Sequence, residues 1–255
     1  MYKKGQAGIH QQAGAGQIVV VGAKGFVGSA VREALVGMGE KVLPASRGDD
    51  LAELISENVA AVVHCANSPK RYLAMQEPRQ DYVESVEKTA DILEMCRRVG
   101  CRVTVVSSIS ARTEVDTVYG HHRRLVESML RDGKETFIRL GYMYSQTHTN
   151  GALNDILNDR DVYRSPQSRY SFCSVSYCAA KIAQHVRSGS TESQELGARG
   201  SMSLEQVAQI LGKTPTYKSD YVDVQIAENV PPDACLLYTS PSPRDRSLSR
   251  MPSSA

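Results

Sequence analysis

Apolar positions between residues 17 and 234 follow two rhythms. Short unbroken apolar runs, QIVVV at 17–21, AAVVHC at 60–65 and RVTVVS at 102–107, have the length and β-branched content of strands buried on both faces. Between them, apolar residues recur three and four apart in FVGSAVREALVGMG and DYVESVEKTADILEMCRRV, which predicts helices over about 25–36 and 81–99. The same pattern predicts strands over 41–46 and 136–140 and helices over 51–57 and 118–131. Strand and helix alternate, so the expected fold is α/β, a Rossmann-like doubly wound parallel sheet with right-handed crossovers. From about Asn150 the rhythm breaks: a short helix (GALNDIL), a strand-like YSFCSV, then the helices YCAAKIAQHVRSG and SLEQVAQILG. The expected organisation is a main domain over 17–149 and a small, interleaved lobe over 150–234.

The first strand ends in three glycines spaced three apart, Gly22, Gly25 and Gly28. Gly22 suits a tight turn, Gly25 a close approach of the backbone to a diphosphate, and Gly28 close packing of helix on strand. The helix that follows points its positive N-terminal end at such phosphates. A nucleotide cofactor is therefore expected at Gly22, Gly25, Phe26, Val27 and Gly28, with Cys65 and Ala66 beside them at the end of the next buried strand. This makes 17–149 an NAD(P)-binding domain.

The second strand bears on which dinucleotide. An acidic residue about 20 positions beyond the glycines usually holds the ribose hydroxyls of NAD. Here the strand tip is Ser46-Arg47, a hydroxyl beside a guanidinium, which suits the 2′-phosphate of NADP. NADP is favoured over NAD, although a register shift of two or three residues would bring Asp49 or Asp50 to the tip and reverse the preference.

In VTVVSSISARTEVDTVYGHHRRLVESML, Ser107 and Ser108 close a buried strand and Tyr119 opens a helix. With VVVGAKGFVG, VVHCAN, VVSS, VYGHHRRLVE and FIRLGYMYS in this order, the chain resembles the short-chain dehydrogenase/reductase superfamily, in its extended NAD-dependent epimerase/dehydratase branch. The resemblance spans residues 17–145, with a weaker continuation to about Gly212. It implies that Tyr119 is the acid/base, that Ser108 polarises the substrate (Ser107 and Ser110 being alternatives), and that the residue four beyond the tyrosine holds the ribose. That residue is Arg123 where the family has Lys. A phenol, with an ordinary pKa near 10, needs a neighbouring cation to work as a base at neutral pH. A serine hydroxyl can hydrogen-bond a carbonyl oxygen as it gains charge. The family's N-V-x-G-T stretch corresponds to SVEKT, with Ser85 for Asn and Lys88 for Gly. Tyr177 and Lys181 also fit Y-x-x-x-K, some 70 residues after the serines; the apolar face of their helix suits packing instead.

Composition excludes several other classes. The final segment, CLLYTSPSPRDRSLSRMPSSA at 235–255, lacks hydrophobic periodicity and resembles a translated sequencing-library adapter. It is expected to be a disordered artefact, the substrate lobe being truncated before its natural end. The formal charge is +2, and this tail carries three Arg and one Asp, so the rest sums to 2 − 2 = 0. A neutral body gives no reason to expect nucleic acid or an anionic membrane as partner. No apolar run approaches the roughly 20 residues that span a bilayer. Residues 1–16, rich in Gly, Ala and Gln, are expected to be disordered. Cys65, Cys96, Cys101, Cys173 and Cys178 lack C-x-x-C spacing and point to reduced thiols of a cytoplasmic protein, and the histidines show no ligand spacing, so no metal site is expected.

Substrate clues are basic residues near strand ends: Ser68, Lys70, Arg71 and Tyr72 after VVHCAN, Arg139 in FIRLGYMYS, and Arg164, Arg169 and Tyr170 around the later strand. Relatives use such residues for the diphosphate of a nucleotide-sugar. The resemblance thus implies a small-molecule substrate of that class and an epimerase, dehydratase or reductase, with a homodimer through 81–99 and 118–131 as the family's habit. The other reading is a catalytically weak NAD(P)-binding regulator or redox sensor.

Overall fold

The structure, a computed structural model, describes residues 16–68, 71–131, 133–145 and 151–234. The expectations for 1–15, for Lys70 and for 235–255 lie outside the described residues.

The first strand is β1 (Gln17–Val21), followed by α1 (Phe26–Gly37), β2 (Val42–Ala45), α2 (Leu51–Leu54) and β3 (Val59–His64). Next come α3 (Arg71–Gln76), α4 (Pro78–Tyr82), a π-helical turn (Val83–Glu87), α5 (Lys88–Val99) and β4 (Arg102–Ser108). Then follow α6 (Ser110–Thr113), α7 (Val118–Ser128), β5 (Glu135–Leu140), β6 (Met143–Tyr144) and α8 (Ala152–Leu157). The chain continues through β7 (Arg169–Tyr170), β8 (Cys173–Ser174), α9 (Val175–Ser188), β9 (Gln194–Leu196), β10 (Met202–Ser203), α10 (Leu204–Ile210) and β11 (Val224–Gln225). Six strands form one sheet in the order β2-β1-β3-β4-β5-β9. The pairs β1–β2, β1–β3, β3–β4 and β5–β9 are parallel. The fold is the expected Rossmann-like α/β sheet.

Contacts divide the chain into two compact units. One comprises residues up to Val106, Leu125–Phe137 and Ala179–Glu192. Its core joins Val19, Val21, Val62, Val103 and Val105 of the strands to Ile92, Leu93 and Cys96 of α5 and Val126 of α7. Full burial of each large aliphatic side chain contributes about 1.5–3 kcal/mol. On α5 the opposite face, Ala90, Asp91, Glu94 and Arg98, is exposed. The expected helix over 81–99 is observed, starting earlier at Pro78 and interrupted by the π-turn. Helix α2 ends at Leu54 instead of continuing to Glu57: Asp50 caps its start by accepting from the Ala52 N–H, and Ile55 leaves the helix to enter the core.

The other unit comprises Ser107–Arg124, Ile138–Cys178 and the residues from Ser193. Its core packs Leu153 and Ile156 of α8 with Tyr170, Phe172, Leu204 and Val207. The expected single strand YSFCSV is in fact two. Residues 169–170 sit in a three-stranded sheet of order β10-β7-β11, whereas 173–174 pair with β6. Ser171 makes the switch: its N–H donates to Gln225 O at 3.0 Å and its hydroxyl donates to Gly200 O at 2.6 Å.

Candidate functional site

In the first unit, Gly22 turns the chain at φ +84°, a conformation L side chains rarely adopt. A Cβ there would lie 2.9 Å from the backbone of Ala66, so Gly22 also lets β1 and the end of β3 approach. A Cβ at Gly28 would lie 2.1 Å from Gly22 O, which only hydrogen allows. Gly25 differs: a Cβ there would meet only Gly22 O, at 3.2 Å, and the residue is exposed. Gly22 and Gly28 therefore shape the turn, and Gly25 leaves its outer side open. Gly25 is also the N-cap of α1, with no side-chain cap and no acidic residue in the first turn. The positive end of a three-turn helix thus emerges beside a bare backbone.

Around this turn stand the tips of β2 and β3. The Ser46 N–H donates to Asp49 Oδ2 at 2.7 Å, so this carboxylate folds back on its own turn. The Arg47 side chain is 88% exposed and lies 3.7 Å from Glu84, a loose surface pair. At the end of β3 the Cys65 N–H donates to Val21 O at 2.8 Å, and burial pushes its thiol up to about 12. That shift favours the neutral thiol at Cys65. Two further contacts hold these tips. Asn67 Nδ2 donates to Val106 O at 2.6 Å, joining the ends of β3 and β4. Buried His64 meets Thr89 Oγ1 at 3.0 Å through Nε2, and that hydroxyl donates to Ser85 O within the π-turn. With the hydroxyl proton committed to Ser85, Nε2 carries the proton of His64.

The second unit carries the serines and the tyrosine. Ser107 is buried, and Ser110 is fully buried, its hydroxyl accepting from Gln225 Nε2 at 3.3 Å. Ser108 is partly exposed, and its Oγ accepts from the Ser110 N–H at 3.2 Å. Helix α7 begins at Val118, where the Thr117 hydroxyl accepts from the Gly120 N–H and donates to Glu114 O, both at 3.0 Å. Gly120 fits against the preceding segment so closely that a Cβ would lie 2.0 Å from Glu114 O. Tyr119 is thereby fixed between a capped start and an immovable glycine. One turn later Arg123, 1% exposed, lays its guanidinium carbon 4.7 Å from the Tyr119 ring centroid. His122 is buried and His121 exposed, as expected for neighbours on a helix.

The basic residues of the second unit differ in how far they are engaged. Arg139 donates to Glu195 at 3.2 Å, and Arg169 donates to the hydroxyl and carbonyl of Ser201 at 3.1 and 2.9 Å. Tyr170 is buried, with its hydroxyl on Asp223 Oδ2 at 2.9 Å. These three are engaged inside the unit. Arg164 keeps its side chain 35% exposed, 3.7 Å from Asp223 and stacked 5.3 Å over Tyr221.

The profile of the NAD dependent epimerase/dehydratase family matches residues 18–148, just over half of the chain. The chain belongs to this family. Its fold is that of solved nucleotide-sugar enzymes. MoeE5, in complex with UDP-glucose and NAD, superposes with a TM-score of 0.73 at 19% identity, covering 85% of this chain and 90% of that one. TunA, an NAD dependent NDP-hexosamine 5,6-dehydratase of tunicamycin biosynthesis, gives 0.72 at 18%, covering 83% and 88%. The dTDP-4-dehydrorhamnose reductase of Bacillus anthracis, in complex with NADP, gives 0.71 at 14%, covering 84% and 90%. No curated protein matches the sequence.

The nicotinamide dinucleotide of this epimerase/dehydratase family fits the chain on two observations. The α1 N-terminus starts at Gly25 with no side-chain cap and no acidic residue in its first turn, and a Cβ at Gly25 would meet only Gly22 O. Sequence reasoning located the glycines and the tyrosine but missed the residues that hold them. Gly120 was legible in principle, as a glycine directly after the tyrosine. The Asn67–Val106 and His64–Thr89 contacts had no signal, because the partners lie 39 and 25 positions apart. Among the described residues, no helix is long and apolar enough to cross a membrane.

Proposed function

We propose that the chain is an NAD(P)-dependent enzyme that epimerises, dehydrates or reduces a nucleotide-sugar. The observation that carries this reading is the bare-backbone turn at the uncapped start of α1, in a chain of the epimerase/dehydratase family. In this reading Gly22, Gly25, Phe26, Val27 and Gly28 bind the diphosphate, with Cys65 and Ala66 as the wall of the turn. When bound, the dinucleotide supplies a nicotinamide ring that accepts or donates hydride.

The proposed roles of the chain's own groups follow from their chemistry. Tyr119 holds or releases the proton of a sugar hydroxyl through its phenol oxygen. Ser108, the partly exposed member of the three serines, hydrogen-bonds the same sugar oxygen. Arg123 supplies the cation that the family places four residues beyond the tyrosine. Ser46 and Arg47 receive the 2′-phosphate of NADP, which the exposed guanidinium and the inward-folded Asp49 both favour over NAD. Arg164, still partly exposed, meets the substrate's phosphates. Support for the substrate class comes from the ligands of the solved relatives, UDP-glucose among them.

A second reading, a dinucleotide-binding regulator of weak activity, is favoured by one observation: Arg123 spends its guanidinium face on the Tyr119 ring. A single experiment separates the two. The purified chain is titrated calorimetrically with NADP and NAD, then mixed with a panel of nucleotide-sugars while nicotinamide absorbance and sugar products are followed. The enzyme reading expects dinucleotide binding together with turnover of at least one sugar. Binding without turnover across the panel supports the regulator, and absence of binding overturns both.

A further inference from the structure

Five of the chain's six cysteines fall in described segments, and two of them touch in the second unit. Cys173 Sγ lies 3.2 Å from Cys178 Sγ, with the two residues 4% and 0% exposed. Both backbones are anchored. Cys173 is paired in register with Met143 of β6, and its N–H donates to Tyr142 O at 3.0 Å. Cys178 sits in the first turn of α9, where the Ser174 hydroxyl accepts from the Tyr177 N–H at 3.2 Å. The contact is therefore built into a strand and a capped helix start, not into a loop.

We propose that Cys173 and Cys178 are an oxidisable dithiol, a reversible thiol–disulfide site independent of the dinucleotide chemistry. A disulfide has its sulfurs about 2.05 Å apart, so closing the pair asks for an approach of about 1 Å. The natural oxidant class is a hydroperoxide, small enough to enter where a bulky disulfide is excluded. Cys173 is the first nucleophile, being the less enclosed of the two. The hydrogen bond that the Cys178 thiol shares with Cys173, and burial, both push Cys178 upward, so that residue keeps its proton longer.

The chemistry balances in two steps. The Cys173 thiolate attacks one peroxide oxygen; an S–O bond forms, the O–O bond breaks, and the departing hydroxide takes a proton to become water. The Cys178 sulfur then attacks the resulting sulfenic acid; the S–S bond forms, the S–O bond breaks, and a second water leaves. Two thiols are oxidised to one disulfide while one hydroperoxide is reduced. The product staples β8 to the start of α9, next to the Tyr142–Phe172 ring contact at 5.0 Å.

The other cysteines provide internal references. Cys65 stands alone with its thiol pushed up to about 12, and is expected to resist. Cys96 and Cys101 are also five apart, and their thiols share a hydrogen bond that helps to push Cys96 far up. Trypsin separates the two pairs cleanly. Residues 170–181 form one fragment that holds both Cys173 and Cys178, whereas Cys96 and Cys101 fall in different fragments.

The test treats the full, folded chain with limited hydrogen peroxide, blocks remaining thiols by alkylation, and maps tryptic fragments by mass. The expected result is a 170–181 fragment lighter by two hydrogens, with neither cysteine alkylated, restored by dithiothreitol. A sulfenic-acid trap should label Cys173 in Cys178→Ser and leave the parent unlabelled, since the parent resolves its own intermediate. The proposal is overturned if the fragment keeps two alkylatable thiols while Cys65 is oxidised. It is equally overturned if Cys173 or Cys178 instead joins a third cysteine, or if the parent accumulates sulfinic acid at Cys173. Because the parent alone decides these outcomes, poor folding of the variant would not rescue the idea. Dinucleotide binding does not enter the readout, so its failure leaves this result unaffected.

Discussion

The Arg123 guanidinium packs over the ring of Tyr119, its carbon 4.7 Å from the centroid and the residue 1% exposed. The side chain that replaces the family's lysine is therefore held by the residue it would assist. Lys in its place would present a compact ammonium on a flexible stem, without the planar fork that stacks.

This relationship sets the first prediction. Tyr119→Phe removes only the hydroxyl, so dinucleotide affinity should persist while turnover falls about 10²- to 10⁴-fold, the usual contribution of general acid–base catalysis. Arg123→Lys should keep or raise turnover. Steady-state kinetics on a reactive nucleotide-sugar checks both, and unchanged rates in Tyr119→Phe would make the tyrosine a packing residue.

The glycine turn separates folding from binding. Gly28→Ala places a carbon 2.1 Å from Gly22 O and should destabilise the protein by about 1–3 kcal/mol or more, visible as a lower melting temperature. Gly25→Asp brings a Cβ only to 3.2 Å from Gly22 O and should lower melting far less than Gly28→Ala, yet abolish dinucleotide binding by blocking and repelling the diphosphate. Calorimetry beside thermal melts distinguishes the two variants; wild-type binding in Gly25→Asp would remove the turn from the cofactor site.

The tip of β2 gives a selective test. A charge-assisted contact contributes about 1.5–3 kcal/mol, so Arg47→Ala should weaken NADP by roughly 10- to 150-fold and leave NAD unaffected. Equal affinities of the parent for the two dinucleotides would show that Arg47 faces solvent only.

Stability should fall in two stages on acidification. His185 is held below its usual 6.5 by burial and by Arg102. The unfolded chain then takes up the proton first, so stability is full above about 6.5 and declines as pH drops below it. Glu195 is raised by burial, but hydrogen bonds from Arg112 and Arg139 prevail and hold it below 4.5. Its contribution is present above about 4.5 and is lost as pH falls further. Melting temperature measured against pH should show both stages, and His185→Gln should erase the upper one.

The same carboxylate offers a stability prediction. Arg112 grips Glu195 with two hydrogen bonds at 3.0 and 2.9 Å and also bonds Ile226 O at 2.8 Å. Arg112→Met leaves a buried carboxylate with only part of its partners and should cost about 3–5 kcal/mol. Urea unfolding checks it; a change below about 1 kcal/mol would mean that Arg139 and the Glu228 N–H satisfy Glu195 without Arg112.

By itself the sequence determined the strand–helix alternation, the glycine turn and the helix that opens at the tyrosine. Those signals are local: apolar runs, a repeat of three and four, and glycines that act on their immediate neighbours. It pointed to Arg139 and Arg169 as basic groups for a substrate as well, and the tertiary structure gives both of them partners within the protein. Glu195, 56 positions after Arg139, and Ser201, 32 after Arg169, take up those guanidiniums. The π-turn at Val83–Glu87, the splitting of YSFCSV into two strands and the meeting of Cys173 with Cys178 were likewise decided by packing. A side chain's chemistry is written in the sequence, but whether it reaches solvent, ligand or a buried partner depends on which distant segment folds against it.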